Sequence, residues 1–163
     1  MIRALILACG NSLRGDDAAA LHVARGLRSG FCEPETAIHS STQWTPELAE
    51  SISAADVVIF VDASAVLPPG AVQTRKISPI PDAPGSLSHR SSPTGLLALA
   101  QRLYEVIPPR AFLITIGAQS FELSEELSEP VRHAIPEVIE RIKAILSGIS
   151  LPSDGPRDQA SPS

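Results

Sequence analysis

The sequence predicts an α/β fold: a three-layer sandwich in which a five-stranded, mostly parallel twisted sheet with one antiparallel strand carries helices on both faces. Two observations point there. The runs "RALILAC", "DVVIFVDA" and "AFLITIGA" have the unbroken hydrophobicity of strands buried on both faces. Between them lie segments whose apolar residues recur at helical spacing, and strands that alternate with helices build a parallel sheet through right-handed crossovers.

The elements follow in order. "RALILAC" is the first strand, and Gly15 or Asp16 then caps a helix whose apolar stripe is Leu21, Ala24 and Leu27, ended by Gly30. "ETAIHSS" is the second strand. Thr45-Pro46-Glu47 opens a helix to about Ser53, with a capping hydroxyl followed by proline at the first helical position. "DVVIFVDA" is the third and strongest strand. Pro68-Pro69-Gly70 turns the chain into "AVQTRKI", whose polarity suits an antiparallel edge strand. Residues 78–92 form a long Pro/Gly/Ser-rich loop containing His89, and a loop of that length is often functional. Ser92-Pro93 opens a helix through Leu96, Leu97, Ala100 and Leu103, "AFLITIGA" follows as a strand, and Ser128-Glu129-Pro130 begins the last helix. That helix turns Val131, Ile135, Val138, Ile142 and Ile145 inward, with Pro136 as a kink point.

Length and composition narrow the function. The chain has 163 residues, 44% of them hydrophobic, which suits one domain over residues 1–146 followed by a disordered Ser/Pro/Asp-rich tail over 147–163. A formal charge of −5 without a basic stripe argues against nucleic acid and anionic membranes as partners. Cys9 and Cys32 form neither a CxxC nor a zinc spacing, which fits a reducing compartment. The first apolar run is shorter than a signal sequence needs, so the expected location is the cytoplasm.

The chemistry concentrates around "GNSLRGDD". Gly10 and Gly15 have the spacing of a phosphate loop, but Asp16 and Asp17 stand where lysine and a hydroxyl residue belong, so an anion would be repelled. An aspartate at a helix start is usually a cap, which accounts for one of the pair, Asp16. In the strand order 2-1-3-4-5 the first and third strands are neighbours, and ligands bind in the crevice beyond their carboxyl ends. That arrangement brings the acidic pair near Asp62, at the end of the third strand. Asp62 alone could be a strand-end turn residue and His89 alone a loop histidine. Together, carboxylates and an imidazole suit a divalent first-row metal such as nickel or zinc, or acid–base work on an amide. His22, His39 and His133 read as surface residues, and Cys9 as a small hydrophobe closing a strand.

These segments resemble the [NiFe]-hydrogenase maturation endopeptidases over most of the ordered chain. "GNSLRGDD" is similar to the family's G-N-x-L-x-x-D-[DE] motif, "VVIFVDA" to its aspartate-ending strand, and "SHRSSPTGLLALAQRLY" to its histidine loop and helix. "SFELSEELSEPVRHAIPEVIERI" is similar to the family's last segment. The resemblance implies a protease that removes a short C-terminal extension from a hydrogenase large-subunit precursor. It also implies that the substrate supplies the nickel and the protease carries no tightly bound cofactor of its own. Asp17, Asp62 and His89 fall on the family's metal-contacting, catalytic positions. Gly10, Asn11, Asp16 and Gln43 are the accompanying candidates for substrate binding, Asp16 chiefly as a cap and Gly10 and Asn11 by shaping the loop. The family usually has Gly-x-Gly after its acidic pair, where this chain has Ala18, Ala19 and Ala20, and a glycine at Ala8. Added methyls here would tighten the substrate's approach and the crevice floor. Two alternatives stay open: a phospho-receiver-like signalling domain binding Mg²⁺, although Gly117-Ala118-Gln119 stand where its lysine would be, and an inactive scaffold of the protease family.

Overall fold

The computed structural model describes residues 4–30, 35–83 and 91–148. In chain order these form β1 (Ala4–Cys9), a 3₁₀ turn (Gly15–Ala18), α1 (Ala19–Gly30), β2 (Thr36–Ser41), α2 (Leu48–Ser53), β3 (Val57–Ser64), β4 (Val72–Lys76), α3 (Pro93–Tyr104), β5 (Arg110–Gly117) and α4 (Glu129–Leu146). The strands lie in the order β2-β1-β3-β5-β4. All pairs are parallel except β4 with β5. β1 and β3 are therefore neighbours, as the expected 2-1-3-4-5 order requires. The last two strands are exchanged relative to that order, for a topological reason. β4 runs antiparallel and takes the outer edge, which leaves the inner place beside β3 to the more hydrophobic β5.

Alternate side chains of the strands serve opposite faces. Ile6, Ala8, Ile59, Val61, Ile114 and Ile116 face one layer, packed against Val23 and Leu27 of α1 and Val138 and Ile142 of α4. Leu5, Leu7, Val58 and Phe60 face the other, packed against Ile52 of α2 and Leu96 and Leu97 of α3. Because each central strand is apolar on both faces, the sheet is covered twice, and the result is the three-layer sandwich.

The helix ends differ in instructive ways. Ser92 caps α3 as expected, its hydroxyl accepting from Gly95 N at 3.0 Å with Pro93 in the first turn. α2 begins at Leu48 rather than at Thr45-Pro46, with no side-chain cap. α1 is entered through the 3₁₀ turn, and no side chain caps that turn, so Asp16 does not cap its own helix. α4 runs through Pro136 as one helix, and Ala134 is buried where Ile135 is only partly so. Among the described residues, no helix is long and apolar enough to cross a membrane. Of the tail expected over 147–163, Ser147 and Gly148 are described as a turn ending α4, and the rest, with Cys32, lies outside the described residues.

Candidate active-site cleft

The carboxyl ends of β1 and β3 open into a cleft of about 630 Å³ lined by Gly10, Asn11, Asp17, Gln43, Asp62 and others. Asp17 reaches it from the 3₁₀ turn and Asp62 from the end of β3. The candidates Asp17, Asp62, Gly10, Asn11 and Gln43 thus come together. His89 lies outside the described residues, although Ser91 lines the same cleft. No cluster of three His, Cys, Asp or Glu with metal-holding geometry occurs among the described residues, so two carboxylates are the acidic part of the site that can be described.

The loop from β1 is shaped to present Asp17. Asn11 N donates to Asp17 Oδ2 at 2.9 Å, and Asn11 Oδ1 accepts from Leu13 N at 2.9 Å, closing an Asx turn. Gly10 is required by a close approach. A Cβ there would overlap the backbone carbonyl of Asp17. Gly10→Ala is therefore expected to lower stability by about 2–3 kcal/mol, the usual cost of overpacking, and to push Asp17 off its position. A lowered unfolding midpoint together with at least tenfold slower turnover would record both effects.

Asp16 turns the other way. A 3₁₀ helix has about three residues per turn, so adjacent side chains point roughly 120° apart. Asp16 is 1% exposed and its carboxylate is fully engaged with the segment that joins β5 to α4. Oδ2 accepts from Gln119 N at 2.8 Å, Ser120 N at 3.2 Å and Ser128 Oγ at 2.7 Å, and Oδ1 accepts from Ser128 N at 2.7 Å. Burial alone would raise its pKa, but the bonds from Ser128, Gln119 and Ser120 outweigh it and hold the carboxyl below its usual range. Ser128 directly precedes α4, so the charge also faces the positive end of that helix. Asp16 does not line the cleft of Asp17 and Asp62, and its assignment to substrate binding is corrected to a structural clamp. The cause is that its oxygens are already taken.

The departures at Ala8 and residues 18–20 are also resolved. Ala8, Ala18, Ala19 and Ala20 are all at most 2% exposed and pack into the core with α1, so their methyls do not line the cleft. Those side chains face the helix layer.

Sequence reading passed over Arg14 and Trp44 as cleft residues and gave Cys9 only as a small hydrophobe. Arg14 is the sole cation lining it among the described residues. Trp44 stands with its ring edge-on to Phe60, centroids 5.5 Å apart, and its buried indole N–H has no hydrogen-bond partner among the described residues. Cys9 Sγ donates weakly to Thr42 O at 3.5 Å. Nothing periodic marks these positions. Only proximity in sequence to Asn11 and to Thr45-Pro46 hinted at Arg14 and Trp44.

A mostly parallel sheet with a carboxylate-lined cleft at its topological switch point defines the class as an α/β protein with a ligand site at the strand ends. Among solved structures, the chain is similar to the hydrogenase maturating endopeptidase HybD from E. coli, with 22% identity, a TM-score of 0.75, and coverage of 90% of this chain and 93% of that one. It is similar to the [NiFe] hydrogenase maturation protease HycI from Thermococcus kodakarensis, with 26% identity, a TM-score of 0.67, and coverage of 90% and 93%. It is likewise similar to a hydrogenase 2 maturation peptidase from a Thaumarchaeota archaeon, with 24% identity, a TM-score of 0.67, and coverage of 91% and 99%. No family model and no curated protein matches the sequence. These neighbours are hydrogenase maturation endopeptidases, the family that the chain's motifs resemble, and the cleft lies at the strand ends of the fold it shares with them.

Proposed function

We propose that the protein is an endopeptidase that removes a short C-terminal extension from the nickel-loaded precursor of a [NiFe]-hydrogenase large subunit. The observation that carries this reading is that Asp17 and Asp62, from separate elements, line one cleft at the strand ends. The substrate's nickel accepts Asp17, Asp62 and His89 as added ligands, and this contact sets the neighbouring peptide bond in the cleft. Asn11 N holds one oxygen of Asp17. Its other oxygen has no hydrogen-bond partner among the described residues, which suits a ligand or a base. Hydrolysis would use one of two sources of activation: the substrate's metal as a Lewis acid on the scissile carbonyl, or a carboxylate of the pair as general base on water. The protease brings no cofactor of its own and works in the cytoplasm, where Cys9 stays reduced. Incubation of the protein with nickel-loaded and nickel-free precursor tests the reading. Processing of the loaded form alone is expected, and equal processing of both would reject nickel recognition.

A further inference from the structure

Beside the cleft, two loops are joined into one rim. Arg14 and Ser124 form an isolated parallel bridge, Ser124 N donates to Leu13 O at 3.0 Å, and Gly15 N donates to Ser124 O at 2.9 Å. Gly15 makes the closeness feasible, with a φ of +55° and Ser120 O only 3.0 Å from where a Cβ would sit. The Asp16 clamp fixes the same two segments one residue further on.

This rigid rim carries large apolar side chains in water. Leu13 is 54% exposed and Leu123 is 85% exposed, at neighbouring positions on the bridged segments. Exposed leucines scattered singly need no explanation. These two stand at paired positions one residue before the Arg14–Ser124 bridge, and Arg14 itself lines the cleft, its guanidinium without a partner among the described residues. The rim is thus continuous with the cleft through Arg14, and beside that cation it exposes two leucines that do not line the cleft. It is also held still, so that binding would cost little ordering entropy.

We infer that Leu13, Arg14 and Leu123 form a docking surface for the body of the precursor protein whose metal-bearing end enters the cleft. The inference rests on the proposed protease reading and adds a second point of recognition to it. Leu13 and Leu123 cover an apolar patch of the partner. Arg14 donates to a carbonyl or carboxylate of the segment that crosses the rim, a group the two aspartates would repel if it were charged.

The test uses the double variant Leu13→Ser/Leu123→Ser, with Leu103→Ser as control. Leu103 is 58% exposed but sits in the last turn of α3, away from the Pro93 end that lines the cleft. Binding and processing of the nickel-loaded large-subunit precursor are measured for each, with unfolding midpoints to confirm that all fold alike. The double variant is expected to raise KM and Kd at least tenfold with kcat within twofold, and the control to change neither. A KM and Kd within twofold of wild type would overturn the docking surface and leave the protease reading standing. Rim-dependent binding without processing by the wild type would overturn the protease reading and leave the surface standing. Absence of both binding and processing by the wild type would overturn both.

Discussion

Asp16→Asn is expected to lower the stability of the whole domain by about 3–5 kcal/mol, although the residue touches no part of the cleft. The carboxylate accepts four hydrogen bonds, three of them from backbone N–H groups of Gln119, Ser120 and Ser128. Bonds to a charged acceptor contribute about 1.5–3 kcal/mol each, less when they act together, and an orphaned buried donor costs about 1–3 kcal/mol. Asparagine keeps one acceptor oxygen and aims an amide N–H₂ at groups that are themselves donors. The pH dependence follows in sign. Because the folded carboxyl titrates below its unfolded value of about 3.9, its contribution is fully present above about pH 4 and is lost as pH falls through the lower, folded value. Urea denaturation at pH 7 should therefore separate wild type from Asp16→Asn widely, and the gap should narrow towards pH 3. A gap independent of pH would mean that the charge of Asp16 is not what holds the β5–α4 segment.

Asp17→Asn and Asp62→Asn should do the opposite. Each is expected to leave the unfolding free energy within about 1 kcal/mol of wild type, as substitutions of partly exposed polar groups do. Each should also slow precursor processing by about 10³-fold, within the range of a lost acid–base or metal-contacting group. Neighbouring aspartates in one motif would then be separated by their phenotypes, one in stability and one in turnover. If Asp17→Asn processes precursor at the wild-type rate, Asp17 has no part in the chemistry.

The fold was legible because hydrophobic patterning is a physical constraint visible in one dimension. "DVVIFVDA" could only be an inner strand, and Ser92-Pro93 could hardly be anything but a helix start. The exchange of β4 and β5 was not legible, since the polar content of "AVQTRKI" announces an edge without saying which edge. The cleft was legible in part. Asp62 ends the third strand, and strand ends at a switch point are where ligands gather. Asp16 was misplaced because its partners are more than a hundred residues away in sequence, and local reasoning offered only the nearest helix to cap. Which way the alanines after the acidic pair face was not legible for a related reason. Spacing tells which residues follow a motif, but the 3₁₀ turn decides which way each one faces.

The account stands on Asp17 and Asp62 acting together as the means by which the cleft senses nickel. The most direct measurement is the affinity of wild type and of the Asp17→Asn/Asp62→Asn double variant for precursor with and without nickel. The account predicts that wild type binds the loaded form at least tenfold more tightly, a difference of about 1.4 kcal/mol, and that the double variant binds both forms equally. A preference for the nickel-loaded form that survives intact in the double variant would contradict it.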